Sequence, residues 1–237
     1  MTGDLHIETK IPFIEGYFYH VFNRSNNKEK IFYTDDNCRF FLRKFDKYLS
    51  EYLEVYAFCL LPTHFHFLVK VKGSKDLVGF KNLQGLINQD DSNDNSEYLN
   101  HECLNLAGLE DLQGLGINKT IIQSFSNFFN CYAKSINKQE NRHGSLFEKH
   151  FKRKIIDKED YLSRIIFYIH LNPVYHHLCQ SFENYPWGSY TKILNNRQSK
   201  LKKKEVLEFF GGKKNYIYFH NKMKRNFKEI DKYIIED

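Results

Sequence analysis

Two histidines separated by one residue give the sequence its first candidate for chemistry. His64 and His66 flank Phe65 in HFHFLVKV, residues 64–71, whose alternating pattern is typical of a β-strand. On a strand, residues i and i+2 point to the same face, so the imidazoles share one face while Phe65 points to the other. Paired imidazoles can hold a divalent metal ion. The motif alone is weak, because the chain has 11 histidines and this spacing also arises by chance.

A tyrosine and an asparagine one helical turn apart strengthen this candidate. Tyr168 and Asn172 lie in RIIFYIHLNPV, residues 164–174, and residues four apart share a helix face. A phenolate can attack a phosphodiester that a metal polarises, and the Asn172 carboxamide can serve as a third ligand. The competing interpretation is structural, with Tyr168 a packed helix residue and Asn172 at the helix end. Tyr132 is a second candidate nucleophile, although its aromatic stripe favours core packing.

The surrounding pattern indicates the elements that position these residues. Strands are predicted over residues 16–24, 55–61, 64–71 and 150–156, and helices from Asp35 or Asp36, over 119–137, and from about 158 to 171. The last helix is expected to end at Asn172, because Pro173 disfavours helical geometry in the residue before it. These elements predict an α+β fold, an antiparallel sheet with helices packed on it.

Composition narrows the class of protein. The 237 residues are 41% hydrophobic and 27% charged, which suits a globular protein and argues against wholesale disorder. No apolar run approaches the roughly 20 residues that cross a bilayer, so no membrane partner is expected. The N-terminus lacks a signal-peptide pattern, and the five cysteines lie far apart, without a CxxC pair. These features favour the reducing cytoplasm over a disulfide or zinc framework.

Charge is distributed unevenly along the chain. Residues 73–113 hold two lysines against eight acidic residues, whereas 197–228 hold eleven Lys or Arg against two. Residues 134–164 form a second basic block, with nine Lys or Arg against five acids. Basic charge with 16% aromatic residues suits single-stranded nucleic acid, because lysines meet phosphates and rings stack on bases. The candidate phosphate contacts of the second block are Arg142, Lys149, Lys152, Arg153 and Lys154.

Several blocks of sequence also carry a family resemblance. The resemblance extends over roughly two-thirds of the chain, and the blocks that carry it are YHVFNRSNNKEKIF (19–32), AFCLLPTHFHFLVK (57–70), HGSLFEKHFKRKII (143–156), DYLSRIIFYIHLNPV (160–174) and YPWGSY (185–190). In this order they resemble the single-tyrosine HUH transposases, and within them the REP-associated tyrosine transposases of bacterial genomes.

This resemblance implies a fold and a reaction. The fold would be a ferredoxin-like (RRM-like) antiparallel sheet, the HUH endonuclease fold, with paired histidines on a central strand. His64 and His66 would match the metal ligands and Tyr168 the nucleophile, and Asn172 the third ligand, where insertion-sequence relatives carry Gln. The reaction would cleave and rejoin single-stranded, hairpin-bearing DNA with Mg²⁺ or Mn²⁺ through a 5′-phosphotyrosine. No nucleotide cofactor is expected, and no GxxxxGK[ST] motif is present.

Further expectations follow from the same resemblance. Asn23 and Arg24 would help to hold hairpin DNA, and the branch slightly favours a monomer over a dimer in the bacterial cytoplasm, with the nucleoid. Residues 1–190 would form the catalytic domain. Residues 73–117 depart from the family pattern, and their clusters of Gly, Asn, Asp and Ser predict a surface insertion. The resemblance assigns nothing to residues 191–237, whose basic composition predicts a helical C-terminal extension that contacts DNA. Two other functions stay open, namely a non-catalytic single-stranded nucleic acid binding module and a replication or mobilisation initiator.

Overall fold

A computed structural model describes residues 11–73, 111–156 and 159–225. The strands are β1 (Phe18–Arg24), β2 (Leu53–Leu61), β3 (His64–Val71) and β4 (Lys152–Ile156). The helices are α1 (Asp35–Leu49), α2 (Asp111–Gln139), α3 (Glu159–Tyr175), α4 (Tyr190–Leu194), α5 (Lys203–Phe209) and α6 (Lys213–Arg225).

The four strands form one antiparallel sheet in the order β2-β3-β1-β4. With α1 between β1 and β2, and α2 between β3 and β4, this is the βαββαβ arrangement of a ferredoxin-like fold. The predicted α+β fold is therefore confirmed. β1 and β3 are the central strands, so His64 and His66 lie on a central strand of the sheet, at its N-terminal end.

Helices α1 and α2 cover one face of the sheet. Thr34 caps α1 through a capping box with Asn37, and the helix then buries Phe41, Phe45 and Leu49 at helical spacing. A parallel stripe runs along α2, where its buried apolar side chains are Ile117, Ile121, Phe125, Phe128, Tyr132 and Ile136. Both stripes meet alternate β3 residues, including Phe65 and Phe67, in the first hydrophobic core. The pleat therefore sends the other β3 set, His64 and His66, to the opposite face.

Helix α3 covers that opposite face and helps to form the second core. Its apolar residues pack with Ala57, Cys59 and Leu61 of β2 and with Leu68 of β3. The helix continues to Tyr175, one turn beyond the end predicted at Asn172. Pro173 lies in that last turn, where a missing amide N–H interrupts only one bond of the helical ladder.

The C-terminal helices belong to the same second core. Val206, Phe210 and Tyr216 of this region are buried with the apolar residues of α3. The outer edge of β2 is also covered, because Leu60 donates its amide N–H to Trp187 and Lys202 donates its own to Val55. The predicted domain boundary between residues 190 and 191 therefore falls within a continuous core.

The predicted surface insertion lies mostly outside the described residues. The structure begins again at Asp111, inside α2, whose Ile117 is fully buried. Residues 111–117 of the predicted insertion are therefore helical. Within the part of the chain that the structure describes, no helix combines the length and apolar character needed to cross a membrane.

Candidate active site

His64 and His66 lie side by side on the face of β3 that α3 covers. Their ring centroids are 5.2 Å apart and the ring planes are perpendicular, at 89°. His66 is buried and His64 is half-buried, and the Nε2 atom of each ring is shielded from solvent. Thr63 contributes a hydroxyl 3.0 Å from His64 Nδ1. The pair predicted from alternation is thus present as two adjacent imidazoles.

Tyr168 of α3 packs directly on this histidine pair. Its ring centroid is 5.7 Å from that of His66, and the two planes meet nearly edge-on at 82°. The side chain is only 3% exposed. The structure therefore brings together the nucleophile and one metal ligand that the sequence predicted from separate segments.

Asn172 lies one turn beyond Tyr168 and is held by it. Its Nδ2 donates to the Tyr168 backbone carbonyl at 2.9 Å, which fixes the orientation of the carboxamide. Its Oδ1 is buried and accepts no hydrogen bond from any described residue. A buried carbonyl oxygen without a donor is costly, and a metal ion is one partner that would satisfy it.

A divalent metal ion at this site would need the Asn172 carboxamide oxygen as well as the two imidazoles of His64 and His66. Across residues 11–73, 111–156 and 159–225, no group of three or more His, Cys, Asp or Glu side chains is arranged to hold a metal. Two imidazoles with an amide oxygen make a mixed N and O set, which suits several divalent ions. His64, His66 and Asn172 are the residues that would hold the ion.

Two histidines that the sequence did not single out complete the site. His20 of β1 is fully buried, and its Nε2 lies 3.0 Å from His66 Nδ1. His176, one turn beyond Asn172, has its ring centroid 4.6 Å from that of His64. His176 is half-buried against the site. The four-residue spacing from Asn172 could have indicated that His176 lies near the site. The position of His20 could not be found in this way, because it depends on the register between β1 and β3.

His170 faces away from this site, as its helical position predicts. It is buried with His220 of α6 and Ser189, with His170 Nδ1 3.0 Å from His220 Nε2 and His170 Nε2 2.8 Å from Ser189 Oγ. Burial, reinforced by His220, holds the pKa of His170 well below its usual range. Burial likewise lowers the pKa of His220 to about 3. These neutral histidines join α3 to α6 and contribute no ligand to the candidate site.

The basic residues of β4 alternate between the two faces of the sheet. Lys152 and Lys154 pair with Phe22 and His20 of β1, so they share the sheet face of the histidine cluster. Both are partly exposed, and Lys154 Nζ lies 5.0 Å from the Tyr161 ring centroid. Lys149 is exposed just before the strand. These three lysines can reach the phosphates of a nucleic acid strand that lies along this face.

Arg153 points to the other face, against the expectation of a phosphate contact. It is 4% exposed, and its Nε donates to the Ile11 carbonyl. The guanidinium also lies over the rings of Phe13 and Phe151, at 4.9 and 5.3 Å. Because side chains alternate along β4, Arg153 points towards the first core, where it makes packing contacts.

Three other predicted DNA contacts are engaged within the protein. Asn23 is 3% exposed, and its Oδ1 accepts the Arg24 amide N–H at 2.9 Å. Arg142 pairs with Glu29 and donates to Asn137 at 2.7 Å. Arg24 is exposed, and its Nε lies 2.5 Å from a Glu148 oxygen. Of these three, Arg24 alone is exposed.

Tyr132, the second candidate nucleophile, lies on the far side of the sheet. Its ring is fully buried, and its hydroxyl donates to the Ile31 carbonyl at 2.9 Å. Burial raises the pKa of Tyr132 well above its usual range. It is therefore placed for core packing, as its aromatic stripe favours.

Comparison with known proteins gives little beyond this geometry. No model of a known protein family matches the chain, and no curated protein matches it. One solved structure, a REP-associated tyrosine transposase bound to a REP hairpin, is similar at 12% identity, over 78% of this chain and 82% of that chain, with a TM-score of 0.47. Because this identity and this TM-score are low, the fold and the candidate site are assigned from the contacts described above alone.

Proposed function

We propose that this protein is a metal-dependent, single-tyrosine endonuclease and strand transferase that acts on single-stranded, hairpin-bearing DNA. The observation that carries the proposal is the packing of the Tyr168 ring against His66, 5.7 Å between centroids, with Asn172 one turn away. A nucleophile and a metal-binding set are the two components of a covalent, metal-assisted phosphodiester transfer. A transposase is one biological role in which a single strand is cleaved and rejoined.

Tyr168 performs the covalent step of this mechanism. Its phenolic oxygen attacks the scissile phosphorus, a Tyr168 O–P bond forms and the P–O3′ bond breaks. The phenol loses its proton to solvent, and the departing 3′ oxygen takes one up. The 5′-phosphotyrosine keeps the phosphodiester energy, so a 3′-OH can reverse the step without a nucleotide cofactor.

The residues around Tyr168 orient the reacting groups. When bound by His64, His66 and Asn172, Mg²⁺ or Mn²⁺ would polarise the scissile phosphate and stabilise the charge that develops on it. Asn172 also ties its carboxamide to the Tyr168 carbonyl, which couples the ligand's position to that of the nucleophile. Phe65, on the opposite face, anchors this part of β3 in the first core.

A basic surface beside the site supports a nucleic acid substrate. Lys152 and Lys154 lie on the sheet face that carries His20 and His66, and the exposed Lys149 lies just before their strand, β4. Lysines meet phosphates without regard to sequence, so this surface would hold the strand near Tyr168. We propose that the protein makes this contact with DNA as a monomer in the bacterial cytoplasm.

A second basic surface lies on α6. Tyr218 is 66% exposed, and the exposed residues Lys214 and Lys222 lie one turn on either side of it. An exposed ring between two lysines can stack on a base while the ammonium groups meet phosphates. This surface supports the proposal that the C-terminal region contacts the hairpin or its flanking strand.

The burial of Tyr168 favours a second candidate, a non-catalytic nucleic acid binding module. At 3% exposure the ring is nearly closed off from solvent, so attack requires that DNA binding expose the hydroxyl. A binding module would need no such change. It would show salt-sensitive binding with no metal requirement and no covalent product.

Covalent trapping separates the two candidates. Labelled single-stranded hairpin DNA from the flanks of the gene is incubated with the protein in Mn²⁺ or in EDTA and resolved on a denaturing gel. We expect an adduct in Mn²⁺ only, which is lost in Tyr168→Phe and retained in Tyr175→Phe, a matched hydroxyl deletion on the same helix. An adduct that persists in Tyr168→Phe would refute the assignment, and binding without any adduct would support the module.

A further inference from the structure

His20 is a fully buried polar residue that the proposed chemistry does not use. It lies on β1 opposite Leu68, next to the pair formed by Phe22 and His66. Its Nε2 is 3.0 Å from Nδ1 of His66, within hydrogen-bond distance. A hydrogen bond between two buried imidazoles needs one donor and one acceptor, so it fixes where their protons lie.

The direction of this hydrogen bond decides whether His66 can bind a metal through Nε2. If His66 Nδ1 carries the proton and donates to His20, the lone pair of His66 Nε2 is available. If His20 Nε2 donates instead, a neutral His66 carries its proton on Nε2 and cannot act as a ligand there. Metal-bound histidines generally donate their second ring N–H to a carboxylate, a backbone carbonyl or a water, and here the neighbouring group is the His20 imidazole.

Packing holds the His20 ring in place for this role. Phe22 stacks on it with centroids 4.8 Å apart and planes 24° apart. Tyr168 meets it edge-on from α3 at 5.8 Å. The acceptor is therefore fixed by the central strand on which it lies and by the helix that carries the nucleophile.

We propose that His20 is a positioning residue for His66, accepting its Nδ1 proton and so presenting its Nε2 as a metal ligand. This inference rests on the proposed metal site and assigns a function to a residue outside it. His20 also touches the Tyr168 ring, so it links the orientation of a ligand to the packing of the nucleophile.

Metal affinity measured on the full chain tests the assignment without DNA. Mn²⁺ binding is followed by electron paramagnetic resonance in wild type, His66→Ala, His20→Phe and His20→Gln. His20→Phe keeps a ring between Phe22 and Tyr168 but offers no acceptor, and we expect Mn²⁺ to bind about 10-fold to 100-fold more weakly. His20→Gln retains a side-chain acceptor, and we expect it to recover most of that affinity.

The outcomes separate this inference from the function on which it rests. If His66→Ala weakens Mn²⁺ binding and His20→Phe does not, the role of His20 is refuted and the metal site stands. If neither variant weakens binding, the metal site is refuted and the role of His20 with it. The expected pattern of affinities without DNA cleavage would refute the nuclease and leave the role of His20 intact.

A measurement on the wild type covers the case in which a variant fails to fold. Long-range ¹H–¹⁵N NMR of the Mg²⁺-loaded protein reports which imidazole nitrogens carry protons. We expect the proton on Nδ1 of His66 and an unprotonated Nε2 on His20. A proton on His20 Nε2 in the Mg²⁺-loaded protein would overturn the proposal.

Discussion

The proposed contribution of Asn172 to metal binding can be tested by substitution. Its Oδ1 is buried and accepts no hydrogen bond from the described residues, while Nδ2 is committed to the Tyr168 carbonyl. In Asn172→Ala, we expect the Mn²⁺ concentration for half-maximal adduct formation to rise about tenfold or more, since a ligand should matter at least as much as its hydrogen-bond partners.

Asn172→Asp is the matched control, because it keeps an oxygen where the carboxamide oxygen lies. A Mn²⁺ titration of adduct formation should leave this variant close to the wild type. An unchanged Mn²⁺ requirement in Asn172→Ala would mean that Asn172 only makes its structural hydrogen bond to the Tyr168 carbonyl.

Neighbouring basic residues on β4 should behave differently in DNA binding. Lys152 and Lys154 lie on the face of the site, and their joint replacement by Ala should reduce the slope of log affinity against log salt by about 1.4 for single-stranded DNA. Arg153→Met should leave that slope unchanged but lower the free energy of unfolding by about 1 to 3 kcal/mol, because it removes a buried hydrogen bond and its cation–π contacts.

Fluorescence anisotropy across a salt series, with urea unfolding in parallel, measures both quantities. The two kinds of change serve as controls for each other, since the residues are adjacent in sequence. A reduced salt slope in Arg153→Met would return that residue to the DNA surface.

At the scale of elements, buried histidines join α3 to α6 and should make stability depend on pH. The folded-state pKa of His220 is lowered to about 3, whereas that of an unfolded histidine is about 6.5. Between these values the unfolded chain binds a proton that the folded chain does not, so the free energy of unfolding falls as pH falls. From pH 7 to pH 5 the loss from His220 alone is about 2 kcal/mol.

His220→Gln removes this titration and should shrink the loss of stability between pH 7 and pH 5 by that amount. Urea unfolding of both proteins at the two pH values measures it. Equal losses in wild type and variant would show that His220 is protonated in the folded state.

Local sequence pattern predicted these elements better than their contacts. Alternation in HFHFLVKV located β3 and placed both histidines on one face, and one-turn spacing placed Tyr168 and Asn172 together. His20 could not be found in this way, because its approach to His66 depends on the register between β1 and β3. The burial of Arg153 could not be predicted either, because basic composition does not show which face of the sheet a residue on an edge strand takes.

At the scale of the whole molecule, the C-terminal helices act as part of the core. Val206, Phe210 and Tyr216 are buried with α3, and burying three such side chains contributes about 5 to 9 kcal/mol. That range is comparable to the total stability of a domain, about 5 to 15 kcal/mol. A chain that ends at Lys200 should therefore fail to unfold cooperatively.

A chain that ends at Arg225 is the control, because it retains α5 and α6. Circular dichroism during heating distinguishes the two. A chain ending at Lys200 with the wild-type melting temperature would show that residues 201–225 are dispensable for folding. They would then be a separate appendage, as composition alone predicted.

The most direct test of the central claim is to locate the covalent bond. The protein is incubated with hairpin DNA and Mn²⁺, digested with nuclease and protease, and analysed by tandem mass spectrometry. The proposed mechanism predicts a phosphonucleotide on Tyr168 that is missing from the EDTA sample. A phosphonucleotide on another tyrosine, or none on a protein that binds the hairpin tightly, would contradict it.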